Sequence, residues 1–446
     1  MLNNEDNERL TRTGRGTPMG ELIRTYWLPA LLSSDLREKD GRAVKIRLLG
    51  EDLVAFRDTD GAVGILGAHC PHRGVSLHFA RNEQHGLRCP YHGWKFDREG
   101  QCVDMPNERP DSPMKKSLRH TAYPAVERGG LIWTYMGKAP APSLPDLEWL
   151  EVPDSHKHIS LRVQECNWLQ TLEGELDPSH APILHGRIDG EGHGPDSYFG
   201  MGEKYAHLEV IETNAGVQIG ARRDAGDNYY WRINHFMMPF WTVVPPGADE
   251  VDINGHAFVP IDDETTLCVM YSYNPEHAMS DRRRKLFEEG HRDREPGHMS
   301  RNGALPFDPG KPYGKYWPKW NRSNDYGMDW ELQKKKYVLG LAGLWVQDSG
   351  CQESMGAIAD RANEHLCSAD AGIARMRRVL QEAARALKDE GRLPESTLDP
   401  SIYRKRSVGI MLPRDVNWLE GAAKYIHARG PLGYTVPGSK PAPATA

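Results

Sequence analysis

One 25-residue stretch constrains this chain more than any other. It opens with Cys70-Pro71-His72-Arg73-Gly74 and closes with Cys89-Pro90-Tyr91-His92-Gly93-Trp94, with sixteen residues between His72 and Cys89. Each half offers one thiolate and one imidazole, a soft donor beside a borderline one. Two such pairs can hold a single tetrahedral zinc, or a [2Fe-2S] cluster with both Cys on one iron and both His on the other. Histidine ligation would raise the cluster potential to roughly −150 to +300 mV. The flanks favour the cluster. Zinc modules usually pair like ligands, Cys with Cys and His with His, whereas both pairs here are mixed. Pro71 and Pro90 stiffen the two loops, and Gly74 and Gly93 let backbone approach closely.

A chain of 446 residues is long enough for two domains. Its net charge of −6 gives no reason to expect nucleic acid or an anionic membrane as partner. There is no apolar run long enough to span a bilayer. The polar start MLNNEDNERLTRTGRG lacks the apolar centre of a signal peptide. Seven Cys, an odd number thinly spread, suit a reducing cytoplasm better than a disulfide framework. Beyond Cys70 and Cys89, the remaining five (Cys102, Cys166, Cys268, Cys351 and Cys367) read as small apolar fillers.

Residues 1–38 read as a loose arm followed by a helix over Met19–Trp27 that Pro29 stops. Alternation then takes over. VKIRLL, LVAFRD and AVGIL, separated by turns at Gly50-Glu51-Asp52 and Asp60-Gly61, predict an antiparallel meander, and VERGGLIWTYMG a closing strand. A small all-β domain with its linker is expected over 39–145, the linker being KAPAPSLP (138–145). Beyond it, 146–430 predicts an α+β domain, an antiparallel sheet covered by helices. Cys166–Leu176 reads as a helix, and HLEVIE, VQIGARR, YYWRINHFMM and TTLCVMYSY read as strands. Helical patterns return at 329–341, 352–366, 370–390 and 415–428, and residues 303–316 form a Pro/Gly-rich loop. Residues 431–446 read as a disordered tail.

A second metal signal lies in NWLQTLEGELDPSHAPILH (167–185), which contains D-x-x-H-x(4)-H. His180 and His185 are close enough to share one metal, and Pro178 and Pro182 interrupt regular helix between them. Two His and one carboxylate make the facial triad of non-haem iron(II), which leaves positions open for dioxygen. The carboxylate must come from elsewhere. Asp348, in WVQDSGCQE, follows an apolar run and precedes a helix, and Glu353 and Asp360 compete with it. Spacing does not rank the three, and Asp348 also suits a helix N-cap.

Taken together these stretches resemble the catalytic α subunit of Rieske non-haem iron ring-hydroxylating oxygenases, of the phthalate-dioxygenase type. CPHRG and CPYHGWKFD carry the resemblance for the cluster. NWLQTLEGELDPSHAPILH is similar to the family's iron helix, and VQDSGCQESMGAIADR to the stretch that supplies its carboxylate. The resemblance implies Cys70, His72, Cys89 and His92 on a [2Fe-2S] cluster, and His180, His185 and Asp348 on a mononuclear Fe(II). It casts Asp177 as a carboxylate bridge between the centres of neighbouring subunits in a head-to-tail homotrimer, alone or stacked in pairs. The competing reading of Asp177 is an N-cap ahead of Pro178. Asn167 matches a polar residue found near the iron.

The chemistry so implied is oxygenation with dioxygen and electrons from a separate NADH-dependent flavin/iron-sulfur reductase, since the chain has no G-x-G-x-x-G loop of its own. Either cis-dihydroxylation of an aromatic carboxylate or O-demethylation of an aryl ether would use the same ligands. A carboxylate substrate calls for an arginine. Arg232 is the first candidate, since alternation in YYWRINHF puts Tyr230, Arg232 and Asn234 on one face; Arg187 and the aromatic Trp241 are further pocket candidates. Two other classes stay open: an electron-transfer protein without active iron, and a zinc-stapled binding protein.

Overall fold

The computed structural model describes residues 2–189, 205–245, 252–288, 291–292, 295–296, 308, 310–341 and 343–432. The tail from 433 onward and most of the Pro/Gly-rich stretch before 308 lie outside the described residues.

The N-terminal arm is more ordered than its polarity suggests. Helix α1 (Asn4–Thr11) is capped by Asn3, whose side chain accepts the Asp6 N–H at 2.8 Å. Leu10 is fully buried, and the Thr13 N–H donates to Asp263 at 2.8 Å, fastening the arm to the distant chain. Helix α2 (Pro18–Arg24) starts on the Thr17 cap with Pro18 in its first turn. It ends before Trp27. Residues Trp27–Leu32, whose start was expected to be helical, form strand β1, which pairs antiparallel with β11 (Leu131–Tyr135). The pairing skips register between Pro29 and Leu31, an irregularity that accommodates a residue with no N–H to donate. Strand β10 (Ala125–Arg128) completes this three-stranded sheet, so residues 27–32, grouped with the arm on sequence, sit inside a sheet.

The expected meander is β2 (Val44–Leu48), β3 (Glu51–Arg57) and β4 (Val63–Gly67), joined at its edge by β9 (Ala122–Tyr123). Its first turn comes earlier than expected. Leu49 and Gly50, both with positive φ, make a two-residue hairpin between Leu48 and Glu51. Their N–H groups donate to Pro260 and Ile261, at 3.0 and 2.9 Å, docking the small domain against the large sheet. A second four-stranded sheet follows: β5 (Arg81–Glu83), β6 (Gly86–Arg88), β7 (Lys95–Phe96) and β8 (Cys102–Asp104), with the short helix α3 (Met114–Ser117) beyond it.

The large domain is built on an eight-stranded antiparallel sheet. Its path is β12 (Lys157–Gln164), β18 (Thr266–Tyr273), β17 (Ile253–Pro260), β16 (Trp241–Val244), β15 (Asn228–Met237), β14 (Gly216–Ala225) and β13 (His207–Thr213). The two-residue strands β19 (His291–Arg292) and β20 (Glu295–Pro296) pair only with each other. Strand β21 (Val408–Pro413) pairs with the half of β15 that β16 is too short to reach. The helices are α4 (Trp168–Leu176), α5 (Ala181–Leu184), α6 (Asp281–Glu288), α7 (Trp330–Lys335), α8 (Leu344–Ser354), α9 (Ala371–Glu390), α10 (Glu395–Leu398) and α11 (Trp418–Ala422). The helical pattern expected at 352–366 therefore belongs mainly to 344–354, and that at 415–428 shrinks to five residues.

The sheet has two chemically different faces. Trp241 points to one of them, into an aromatic core with Trp133, Trp149 and Tyr271 that joins the two domains. The other face carries Arg162, Cys268, Phe258 and His256 on paired strands, and α4, α8 and α9 lie over it. Trp231 turns away from this face to stack on Trp418, so Tyr230, Arg232 and Asn234 share the helix-covered side as alternation predicts.

Candidate metal centres

The two loops of the first centre repeat one hydrogen-bond plan. In each, the Cys N–H donates to the carbonyl five residues on, Cys70 to Val75 and Cys89 to Trp94, both at 2.8 Å. The glycine four residues on donates back to the Cys carbonyl, Gly74 at 2.9 Å and Gly93 at 3.0 Å. Both glycines need positive φ, +74° and +77°, and a Cβ on Gly93 would collide with Pro106. Arg88 braces the second loop by donating to the Gly93 carbonyl and to Asp104, each at 2.7 Å.

Cys70 and Cys89 are buried, and the His72 and His92 rings meet edge-on with centroids 4.4 Å apart. Trp94 stacks on His72 at 4.3 Å. Burial, with the adjacent Cys89 adding to it, pushes the Cys70 thiol up to about 11, so cation binding must drive the proton off. His72 Nδ1 is buried with no hydrogen-bond partner, as suits a metal-ligating nitrogen. The four ligand atoms are not drawn into the tight group that one tetrahedral ion needs. Among the described residues, His180, His185 and Asp348 alone bring three such atoms within 4.8 Å of one another. The wider spread fits a two-iron cluster better than the zinc alternative.

The second centre joins segments from opposite halves of the chain. Asn167 caps α4, and Asp177 ends it, its N–H reaching the Gly174 carbonyl. A single helical turn, α5, then separates the two histidines: the His180 carbonyl accepts from Leu184, and the His185 N–H donates to Ala181. Their rings stand edge-on, with centroids 5.2 Å apart. Both present Nε2 to Oδ1 of Asp348, at 3.6 Å from His180 and 3.3 Å from His185. Asp348 is not an N-cap. It sits inside α8, whose cap position is Gly343. Glu353 instead accepts from the Tyr326 hydroxyl and the Glu165 N–H. Asp360 is exposed and accepts from Ala362 and Asn363.

The far nitrogens differ: that of His185 has a hydrogen-bond partner, whereas that of His180 faces a carboxylate at longer range. Asp177 Oδ2 stands 3.5 Å from His180 Nδ1, while its Oδ1 takes the Ser179 N–H and hydroxyl. His185 Nδ1 lies 2.8 Å from Gln347 Oε1, and the Gln347 amide nitrogen donates to the Leu341 carbonyl at 2.8 Å. That donation fixes which way the amide points, so His185 carries its proton on Nδ1 and leaves Nε2 open to a metal. Burial works against charge on Asp348, yet the facing His185 and His180 hold it below the usual carboxylate range. Burial likewise opposes a charged His180, but Asp177 and Asp348 outweigh it and raise its pKa. Gln347 escaped the sequence reading although it immediately precedes Asp348.

A buried polar framework holds α4 against α8 and α9. Glu173 accepts from Arg361 at 2.9 Å and from Arg377 at 2.6 Å. The Gln170 amide donates to the carbonyls of Gln352 and Gly356, both at 3.0 Å. A Cβ on Gly174 would lie 2.1 Å from the Gln352 amide nitrogen, so that side chain packs against the bare glycine.

The other sequence candidates fall elsewhere. The Asn167 amide donates to the carbonyls of Thr11 and Asp263, so its hydrogen bonds brace the arm rather than reach the triad. Arg187 grips Asp189 through two nitrogens at 2.9 and 2.5 Å, an internal pairing that competes with a substrate clamp. Trp241 is core, on the sheet face away from the triad. Arg232 is half-buried on the triad's side of the sheet.

Comparison with known proteins fits this geometry. A Rieske [2Fe-2S] domain family matches residues 26–124, and a family described as LigXa C-terminal domain like matches residues 134–432. The chain is 39% identical to the 3-chlorobenzoate-3,4-dioxygenase oxygenase subunit of Comamonas testosteroni, over 94% of this chain and 97% of that one. It is 33% identical to the phthalate 4,5-dioxygenase oxygenase subunit of Pseudomonas putida, over 96% of each. It is also 32% identical to the 5,5'-dehydrodivanillate O-demethylase oxygenase subunit of a Sphingobium strain, over 97% of this chain and 92% of that one. Among solved structures, dicamba monooxygenase shares the fold at a TM-score of 0.57 and 17% identity, over 82% of this chain. Two loops of matched design, a His–His–carboxylate triad and relatives spanning nearly the whole chain identify it as a member of the Rieske non-haem iron ring-hydroxylating oxygenases, a catalytic α subunit carrying a [2Fe-2S] cluster and a mononuclear iron site.

Proposed function

We propose that the protein is the terminal oxygenase of a multicomponent system that cis-dihydroxylates an aromatic carboxylate. The observation that carries this reading is the His180–His185–Asp348 group, three ligand atoms gathered within 4.8 Å, in a chain that also carries the two-loop Cys/His centre. Cys70, His72, Cys89 and His92 would hold the [2Fe-2S] cluster; His180, His185 and Asp348 would hold the iron. When bound, these groups supply single-electron delivery and dioxygen activation. The chain's own residues do the rest. Gln347 sets the tautomer of His185, and the Asp177 carboxylate faces the far nitrogen of His180 at 3.5 Å. Trp345, Phe258 and Met270 supply apolar surface on the triad's side of the sheet.

Electrons would come from a separate NADH-dependent reductase, directly or through a ferredoxin. Asp177 would accept a further hydrogen bond from a cluster imidazole of a neighbouring subunit in a head-to-tail trimer, since a carboxylate has acceptor capacity beyond its two present partners. His92, half-buried next to the exposed Tyr91, is accessible enough to take part. No helix among the described residues is long and apolar enough to cross a membrane, and a cytoplasmic location agrees with the thinly spread Cys.

A second reading, O-demethylation of an aryl ether, is favoured by the O-demethylase relative. A single-turnover reaction decides between them. Dithionite-reduced protein is mixed with labelled dioxygen and either 3-chlorobenzoate, phthalate or a methoxybenzoate. Two labelled oxygens in a dihydrodiol support dihydroxylation. Release of formaldehyde from the ether supports demethylation. No product from any of them contradicts both.

A further inference from the structure

Strand β12 carries a polar face into the interior. Ser160, Arg162 and Gln164 alternate along it and are all buried. Gln164 is satisfied by Gln352 at 2.6 Å. Arg162 is not satisfied in the same way. Its Nη2 donates to the Ser349 hydroxyl at 2.9 Å, and its guanidinium lies over the Trp345 ring at 5.7 Å. Its Nε is buried with no partner. No carboxylate among the described residues forms an ion pair with it. Asp348 turns toward the two histidines, and Glu353 is occupied by Tyr326 and the Glu165 N–H. Burial drags Arg162 down to about 10, and the nearby charges of Glu353 and Asp348 offset it only in part. A buried guanidinium with five N–H donors and one acceptor is costly unless something anionic completes it.

Its position says what that would be. Trp345, Asp348 and Ser349 lie at i, i+3 and i+4 on α8, and Ser349, which Arg162 touches, directly follows the triad's Asp348, so Arg162 reaches the same side of that helix as the triad. The neighbour across the strand pair is Cys268, a small side chain. We propose that Arg162 binds the carboxylate of the substrate and holds it beside Trp345 with the ring directed to the His180–His185–Asp348 group. This rests on the reading of the protein as an aromatic-carboxylate oxygenase. It makes Arg162 the residue that selects acids over neutral analogues, because an ester leaves the guanidinium uncompensated.

The test is equilibrium binding of 3-chlorobenzoate and its methyl ester, by calorimetry, to the iron-loaded wild type, Arg162→Gln and Arg162→Lys, with iron content and cluster absorbance recorded for each. The expected result is a loss of about 100-fold in affinity for the acid in Arg162→Gln, with ester binding changed less than about threefold. Arg162→Lys keeps charge and bulk, so it guards against a folding failure in the Gln variant. It should bind the acid about tenfold more weakly than wild type, because it lacks the planar fork. Equal loss for acid and ester, or unchanged acid binding in either variant with iron retained, would overturn the assignment. If wild type turns over aromatic acids but the variants keep its preference, only the Arg162 proposal falls. If wild type binds no aromatic acid, the underlying functional reading falls and this proposal with it.

Discussion

At the first centre all four ligands lie between residues 70 and 92, on two loops with the same backbone hydrogen bonds. At the second, two histidines on a one-turn helix meet an aspartate from a helix in the far half of the chain. The first can be held mostly by its own backbone: a glycine at positive φ closes each loop onto its Cys. The second cannot, because nothing local connects α5 to α8. Glu173, Arg361, Arg377, Gln170 and Gln352 supply that connection, and they are buried charges and amides rather than apolar side chains. Short-range ligand sets can be fixed by turn chemistry, whereas long-range sets need a tertiary framework, which mutation can loosen separately.

This contrast can be broken from either side. The largest effect is expected from Cys89→Ser, which should abolish cluster absorbance and all reductase-driven turnover while leaving iron at the second centre; loss of both metals would show that the centres are not independently held. Next comes Glu173→Gln, which leaves buried Arg361 without a carboxylate and Arg377 with Glu364 alone, and should destabilise the fold by about 3 kcal/mol. Thermal melts should show it, along with weaker iron retention and an unchanged cluster. Burial opposes charge on Glu173, but Arg361 and Arg377 outweigh it and hold its pKa below the usual value. A lowered folded-state value contributes stability above the ordinary carboxylate pKa and loses it as pH falls through the folded one. The melting temperatures of wild type and variant should therefore converge in acid; a constant gap across pH would contradict the pairing.

Asp177→Ala tests the link between centres. Both metals should remain, with turnover down by about 100-fold or more, the order expected when a positioning contact is lost. Lost iron, or near-normal activity, would sink the bridging role. A smaller effect is expected from Gln347→Leu, which frees the His185 ring and should weaken iron binding by about 10–100-fold without altering the cluster. An unchanged iron affinity would remove Gln347 from the account.

The same contrast explains what was legible in the sequence. Cys70, His72, Cys89 and His92 form a dense local pattern, and His180 and His185 nearly so; the strands and the α+β class follow from alternation. The carboxylate was not legible from spacing. Asp348, Glu353 and Asp360 differ in tertiary placement alone, and a family resemblance singled out Asp348. Arg162 was missed because KHISLRVQ was not read as a strand; its alternating polar side, which would suit solvent, lies under α8. The helix α1 was missed because its sequence is polar and its order comes from a cap, Leu10 and a contact with Asp263. Trp241 was ambiguous for the opposite reason: an aromatic strand residue suits a pocket as well as a core, and only the partner sheet bearing Trp133 decides between them.

The most direct measurement is an EPR spectrum of the dithionite-reduced protein, with iron, zinc and acid-labile sulfide counted on the same sample. Two separate centres predict a rhombic signal of a His-ligated cluster, about three irons and about two sulfides per chain. Zinc without sulfide or signal would contradict the account at its base.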